Sequence, residues 1–439
     1  MIENFSNSFE FSGKIRSLIP AGAHTYSKAD DQFPYLAPKG IVKGKGVFIW
    51  DVDGNKYLDW TMGLTAVSLG HAYPPVLKAV RKQLAMGVNF QRPSIIELEF
   101  AELLKELFPH FDMFKFAKNG STVTTAAVKL ARAYTGRDIV AVCADHPFFS
   151  YDDWFIGKTE CSKGVPEAIR NLTVTFRYNN IKSVKDMFDK YRKKIACIIL
   201  EPVKHDPPED NFLHELKKIC HDNGTVFILD EMITGFRFHL KGAQKIFNIE
   251  PDMATFGKGV ANGFSVAFLA GKRDLMKLGG IDEGTEKVFL VSTTHGAETH
   301  SLAAAIATIN EIKEKNVIER NWKYGSKIIN MIKSITKSNG ISDYIEINGY
   351  PCLPAIFCRD YEKKISNEFK TLFMQEMIRR GILIQSMFTV AYLHGKKEME
   401  YTADAFNEVC KVYAKALERS SVDGLLVGPP VKPVFRKIN

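Results

Sequence analysis

Between about residue 95 and residue 300, short apolar runs alternate with amphipathic stretches. The runs DIVAVCA (138–144), IACIILEPV (195–203), TVFILDEM (225–232) and VAFLAG (266–271) are continuous. Continuous runs of this length predict strands buried on both faces. The stretches between them carry helical spacing. In STVTTAAVKLARAYTGR, the residues Val123, Ala127, Leu130 and Tyr134 share one face, and Gly136 ends the pattern. DNFLHELKKICHDNG stops in the same way at Gly224. This alternation predicts an α/β fold whose mostly parallel sheet is flanked by helices. Outside that stretch the pattern changes. GKGVFIWDVDGNKYLDW reads as a hairpin turning at Asp53-Gly54. After about 310 the chain continues in long helices and short strands. The predicted organisation is a large domain over 65–310 and a smaller α+β domain built from both ends, with 1–64 joining 311–439.

Composition narrows the class. The 439 residues are 45% apolar and 25% charged, enough for two or three units with a substantial core. No apolar run approaches the roughly 18 residues of a membrane span. The start, MIENFSNSFEFSGKIRSLIP, lacks a basic stretch followed by an apolar core, so no signal peptide is expected. Seven cysteines are scattered through the chain without a CxxC or Cys/His cluster. Reduced thiols in a cytoplasmic protein are expected, with neither disulfides nor a metal site. The net charge of +9 comes from lysines interleaved with acids, as in KSVKDMFDKYRKK. That is the pattern of solvated helix faces, and no nucleic-acid partner is expected.

Three features carry chemistry. Asp230 closes the run TVFIL, which places a carboxylate at the ligand-binding rim of an open sheet. It could hold a cationic group of a ligand, or cap the helix that follows. Lys258, in ATFGKGVANG, follows another apolar run at the same rim. A desolvated lysine there is a nucleophile for carbonyls; a surface lysine on a glycine turn is the plainer alternative. Asn119, Gly120, Ser121 and Thr122 open a helix, where free N–H groups and hydroxyls suit either a phosphate or simple capping. No Walker A loop and no GxGxxG is present. Taken together, a phosphate cradle, an acid and a lysine in this order match one cofactor, pyridoxal 5′-phosphate, with its phosphate, pyridine nitrogen and aldehyde.

At this point the chain resembles the class III aminotransferases of the type I pyridoxal-phosphate fold. Within them it is similar to glutamate-1-semialdehyde 2,1-aminomutase and to aminotransferases of carbohydrate biosynthesis. The resemblance runs through LIPAGAHTYSK, GKGVFIWDVDGNKYLDW, LGHAYPPVLKAV, NGSTVTTAAVKLARAYTGRD, LEPV, FILDEMITGFR, TFGKGVANG and STTHGAETHSLAAA. Lys258 follows Asp230 by 28 positions, which is the family's own spacing. The resemblance implies that Lys258 carries the cofactor aldehyde as a Schiff base and moves the proton. It implies that Asp230 pairs with the pyridine nitrogen and that Gly120, Ser121 and Thr122 hold the phosphate. Met232 falls where the family usually has valine against the ring, and Glu201 matches an active-site acid. Thr294 matches a threonine that reaches the phosphate of a neighbouring subunit, implying a homodimer with shared active sites.

The chain departs from that pattern at its substrate side. Phe148, Phe149 and Ser150 stand where the family usually has Tyr-His-Gly, so the ring expected to stack on the cofactor lacks its hydroxyl. Lys28 stands where the aminomutase has a carboxylate-binding arginine, and a lysine cannot fork onto a carboxylate. GKGVANGFSVAFLAG resembles carbohydrate-modifying relatives more than the aminomutase. The expected reaction is amino transfer from an amino acid, glutamate, to an aldehyde or ketone of a small polar acceptor such as a sugar or sugar acid. The alternative is intramolecular transfer by an aminomutase. His24, Tyr26, Lys28 and His394 are the candidate substrate contacts.

Overall fold

The computed structural model describes residues 1–281 and 286–435. Contacts divide the described residues into two units, one of 1–73 with 319–435, the other of 74–318.

The first unit opens with helix α1 (Ser6–Leu18). Strands β1 (Ile41–Lys45), β2 (Phe48–Asp51) and β3 (Lys56–Asp59) follow. β2 and β3 form the predicted antiparallel hairpin across Asp53-Gly54. Asp53 also accepts bonds from the N–H groups of Asn7 (2.7 Å) and Ser8 (2.9 Å), so this turn caps the start of α1.

The second unit holds helices α2 (Pro74–Leu84), α3 (Ile95–Leu107) and α4 (Gly120–Thr135). Its seven strands are β4 (Met113–Ala117), β5 (Ile139–Cys143), β6 (Thr173–Phe176), β7 (Ile195–Leu200), β8 (Val226–Asp230), β9 (Met253–Phe256) and β10 (Ala267–Gly271). They form one sheet in the order β4-β10-β9-β8-β7-β5-β6. β10 alone runs against its neighbours, antiparallel to both β4 and β9. β5, β7, β8, β9 and β10 are buried along their whole length, which is why their sequences read as unbroken apolar runs. α4 ends as predicted, at Gly136 in the left-handed region (φ 62°). The unit also holds helices over Ile181–Lys190 and Phe212–Asp222, and α5 (Thr299–Glu314) lies near its end.

The chain returns to the first unit through α6 (Val317–Ser338), set off from α5 by Asn316 at φ 49°. Strands β11 (Ile345–Asn348) and β12 (Ala355–Cys358) pair with each other. Helix α7 (Asn367–Arg379), strand β13 (Ile382–Leu383) and helix α8 (Lys396–Glu418) follow. β13 joins β3 in parallel, so the small sheet combines both ends of the chain. Trp60, Ile328, Phe373, Met377, Phe406 and Tyr413 centre the core of this unit. Inside α6, a Cβ on Gly325 would run into the carbonyl oxygen of Pro351, so the helix backbone and that loop are in direct contact.

Candidate active site

The three central strands β7, β8 and β9 end side by side, and each delivers one ionisable group to the same rim. β9 stops at Phe256. Gly257 is extended, and Lys258 then adopts φ 45° at the head of a single 3-10 turn, Lys258–Ala261. A non-glycine residue in that region costs ~1 kcal/mol or more. The backbone on either side is buried, while the Lys258 side chain keeps accessible surface. Burial of its surroundings lowers the ammonium pKa and the carboxylates of Glu201 and Asp230 partly restore it; Arg237 pushes it down again.

Leu200 of β7 and Leu229 of β8 are partners in register, so Glu201 and Asp230 come next on adjacent strands. Asp230 is 4% exposed. Its Oδ1 accepts from the Met232 N–H (3.0 Å) and the Thr255 hydroxyl (3.1 Å). Among the described residues nothing donates to its Oδ2. Burial lifts this carboxyl to about 6, against the Met232 N–H, Lys258 and Thr255. Glu201 is 6% exposed and is lifted to about 7, first by burial and then by the Asp230 charge. Its backbone N–H donates to His146 Nδ1 (3.1 Å). His146 is buried and pushed down to about 4, which keeps Nδ1 free to accept. Among the described residues the Glu201 carboxylate has no hydrogen-bond donor.

α4 starts beside this group. Asn119 caps it by accepting from the Thr122 N–H (3.0 Å) and hydroxyl (3.1 Å). The N–H groups of Gly120 and Ser121 have no acceptor among the described residues and lie at the positive end of a 16-residue helix. The Ser121 hydroxyl accepts from the Tyr151 N–H (3.1 Å), and the Thr124 hydroxyl donates to the Phe149 carbonyl (2.9 Å). These bonds pin the 148–151 segment to the first turns of α4. Phe149 and Ser150 are buried, whereas Phe148 is 46% exposed. Met232 lies against Gly120 and Gly257.

Thr294 is exposed, and its carbonyl accepts from Asn89 Nδ2 (3.0 Å). Thr299 bonds to the Val88 carbonyl (3.0 Å) and the Gly87 carbonyl (2.8 Å). The Thr294 segment is thus tied to the 87–89 stretch, next to which Met86, Phe90 and Ile95 line one exposed groove.

The candidate substrate contacts lie in the other unit. His24, Tyr26 and Lys28 are exposed on short turns, with the Ser27 carbonyl held by Gln385 (3.1 Å). His394, the fourth candidate substrate contact, differs from these three in its surroundings. It is fully buried, stacked on Trp60 at 4.1 Å between ring centroids and 7° between planes. Its Nδ1 accepts from the Ala391 N–H (3.0 Å). The cause is α6, whose face clamps the 390–395 segment. Arg320 donates to the His394 and Ala391 carbonyls, Asn321 to that of Val390 and Tyr324 to that of Gly395. Partners some 70 positions away leave no local trace in the sequence. The same holds for His146, Thr255 and Arg237, which sequence patterning did not pick out. For His146 the one available signal was its place just past the end of β5.

A family model described as aminotransferase class III matches residues 26–394. The chain belongs to the class III aminotransferases, enzymes that work with pyridoxal 5′-phosphate. The FumI protein of Sphingopyxis sp. MTA144, solved in its PLP internal aldimine form, superposes with a TM-score of 0.85 at 23% identity, covering 94% of this chain and 97% of that one. An omega-transaminase from Sphaerobacter thermophilus gives 0.83 at 24% identity over 94% and 99%. A glutamate-1-semialdehyde-aminomutase from Pseudomonas aeruginosa PAO1, in complex with PMP, gives 0.78 at 16% identity over 92% and 94%. The donor set fits the cofactor: an accessible lysine beside two buried carboxylates, one of them with an oxygen undonated, and two unengaged N–H groups at a helix start. Among the described residues no group of His, Cys, Asp and Glu could hold a metal ion, and no helix is long and apolar enough to cross a membrane.

Proposed function

We propose that this enzyme moves the amino group of an amino acid donor, glutamate, to an aldehyde or ketone on a small polar acceptor of the sugar or sugar-acid kind. The observation that carries the proposal is the convergence of Lys258, Asp230 and Glu201 at the ends of three adjacent strands. When bound, pyridoxal 5′-phosphate supplies an electron-withdrawing ring that takes up charge as a C–H bond beside nitrogen breaks. In this reading Asp230 would pair with the pyridine nitrogen and keep its proton in place. Gly120, Ser121 and Thr122 would hold the phosphate, and Phe148 would pack against the ring. The Lys258 Nζ takes the substrate proton from one carbon and returns it to another. Its lowered pKa supports that role, because the neutral amine is the base. Glu201, buried without a donor among the described residues, offers a hydroxyl-bearing substrate a partner. Lys28 and Phe148, both departures from the aminomutase pattern, favour transfer between two molecules. Thr294, exposed beside an apolar surface, supports a homodimer in which it reaches the neighbouring subunit's phosphate.

The test is a half-reaction. The pyridoxal-loaded enzyme is mixed with glutamate alone, and 2-oxoglutarate is expected in proportion to enzyme, with the spectrum moving to the pyridoxamine form. Starting from that form, sugar aldehydes that restore the spectrum identify the acceptor. Conversion of a five-carbon amino aldehyde without release of any oxo acid would instead establish an aminomutase.

A further inference from the structure

Gly120 opens α4 and Gly257 precedes Lys258, yet neither backbone conformation requires glycine. Gly120 is helical, and Gly257 is extended at φ −178°. Both face one atom. A Cβ on Gly257 would lie 2.7 Å from the Met232 sulfur. A Cβ on Gly120 would lie 3.0 Å from the same sulfur, and its three nearest neighbours would all be Met232 atoms. Met232 is 9% exposed, and its N–H donates to Asp230 Oδ1 (3.0 Å). One residue therefore touches the first turn of α4, the residue before Lys258 and the Asp230 carboxylate.

We infer that Met232 is a positioning residue whose thioether sets the separation between the first turn of α4 and the Lys258 turn. It thereby determines how tightly the two hold pyridoxal 5′-phosphate. The inference rests on the cofactor assignment proposed above. Its physical basis is reach. Methionine is unbranched and fills an irregular slot between two backbones. Valine, the residue the family resemblance leads one to expect there, is shorter and stiff at χ1, and would leave the slot open. In this chain the sulfur occupies the space that a side chain at either glycine would need.

A double-mutant cycle tests this. Cofactor-free wild type, Met232→Val, Gly257→Ala and the double variant are titrated with pyridoxal 5′-phosphate by absorbance, and each apo protein is melted. Each single change is expected to weaken cofactor binding about tenfold, and the double variant to bind about as well as Met232→Val alone, because close contacts are non-additive. Apo melting temperatures of Met232→Val and the double variant should stay together, which a purely structural role would not give. Gly120→Ala with Met232→Val repeats the cycle at the milder contact, should Gly257→Ala not fold. Unchanged affinity in the singles, or a loss of about a hundredfold in the double variant, overturns the inference. Wild type that takes up no cofactor would overturn the assignment beneath it, and the two failures are told apart by that arm alone.

Discussion

At the scale of single residues, Lys258 and Glu201 carry distinct expectations. Lys258→Ala should abolish turnover and the absorbance of lysine-bound cofactor; a variant with normal activity would refute its role. Glu201 makes a pH-dependent prediction. Its carboxyl is lifted from an ordinary 4.5 to about 7. A shift of that size opposes folding by about 3 kcal/mol once the group is ionised. Below pH 4.5 both folded and unfolded chains hold the proton, and no difference arises. As pH rises through the window from 4.5 to 7, the unfolded chain releases its proton first, so this group's contribution to stability falls. Glu201→Gln in the cofactor-free protein should therefore raise the melting temperature by more at about pH 8 than at about pH 5. An equal gain at both would show that burial does not govern this group. The same variant takes away the larger of the two charges that help Lys258 keep its proton. Asp230 and Lys258 were legible in the sequence because each follows an apolar run and their spacing is fixed by one intervening β–α unit. The support beneath them was not, since His146 and Thr255 act across strands.

At the scale of elements, burial on both faces decided what could be read. β5, β7, β8 and β10 are buried throughout and announced themselves as unbroken apolar runs. β4 and β6 lie at the two edges of the sheet, are partly exposed, and so carry no such signal. The contact between α6 and its loop was also silent in the sequence. A glycine inside a helix ordinarily costs ~1 kcal/mol relative to alanine, so by propensity alone Gly325 is a liability. The carbonyl of Pro351 explains it. Overpacking costs about 1–3 kcal/mol in general, and here the obstacle is backbone that cannot rotate aside. Gly325→Ala should therefore lower the melting temperature clearly, despite its better helix propensity. A neutral or stabilising result would mean that the loop is free to move away.

At the scale of the whole molecule, Met86, Phe90 and Ile95 expose a cluster of apolar surface beside the segment that bears Thr294. Patches of this kind mark interaction surfaces, and the proposed occupant is a second copy of the chain. Phe90→Asp should shift the protein from dimer to monomer in sedimentation and weaken cofactor retention together; an unchanged mass would dispose of the shared site. The backbone at Lys258 has a wider consequence. The turn that presents this lysine is held in a conformation suited to glycine, and the ammonium is held in a setting that disfavours its charge. Both burdens vanish in Lys258→Gly, whose apo form should melt above the wild type. A descendant that lost its chemistry at this position would be the sturdier protein. Selection for turnover is then the force that keeps a lysine there, because selection for folding points the other way.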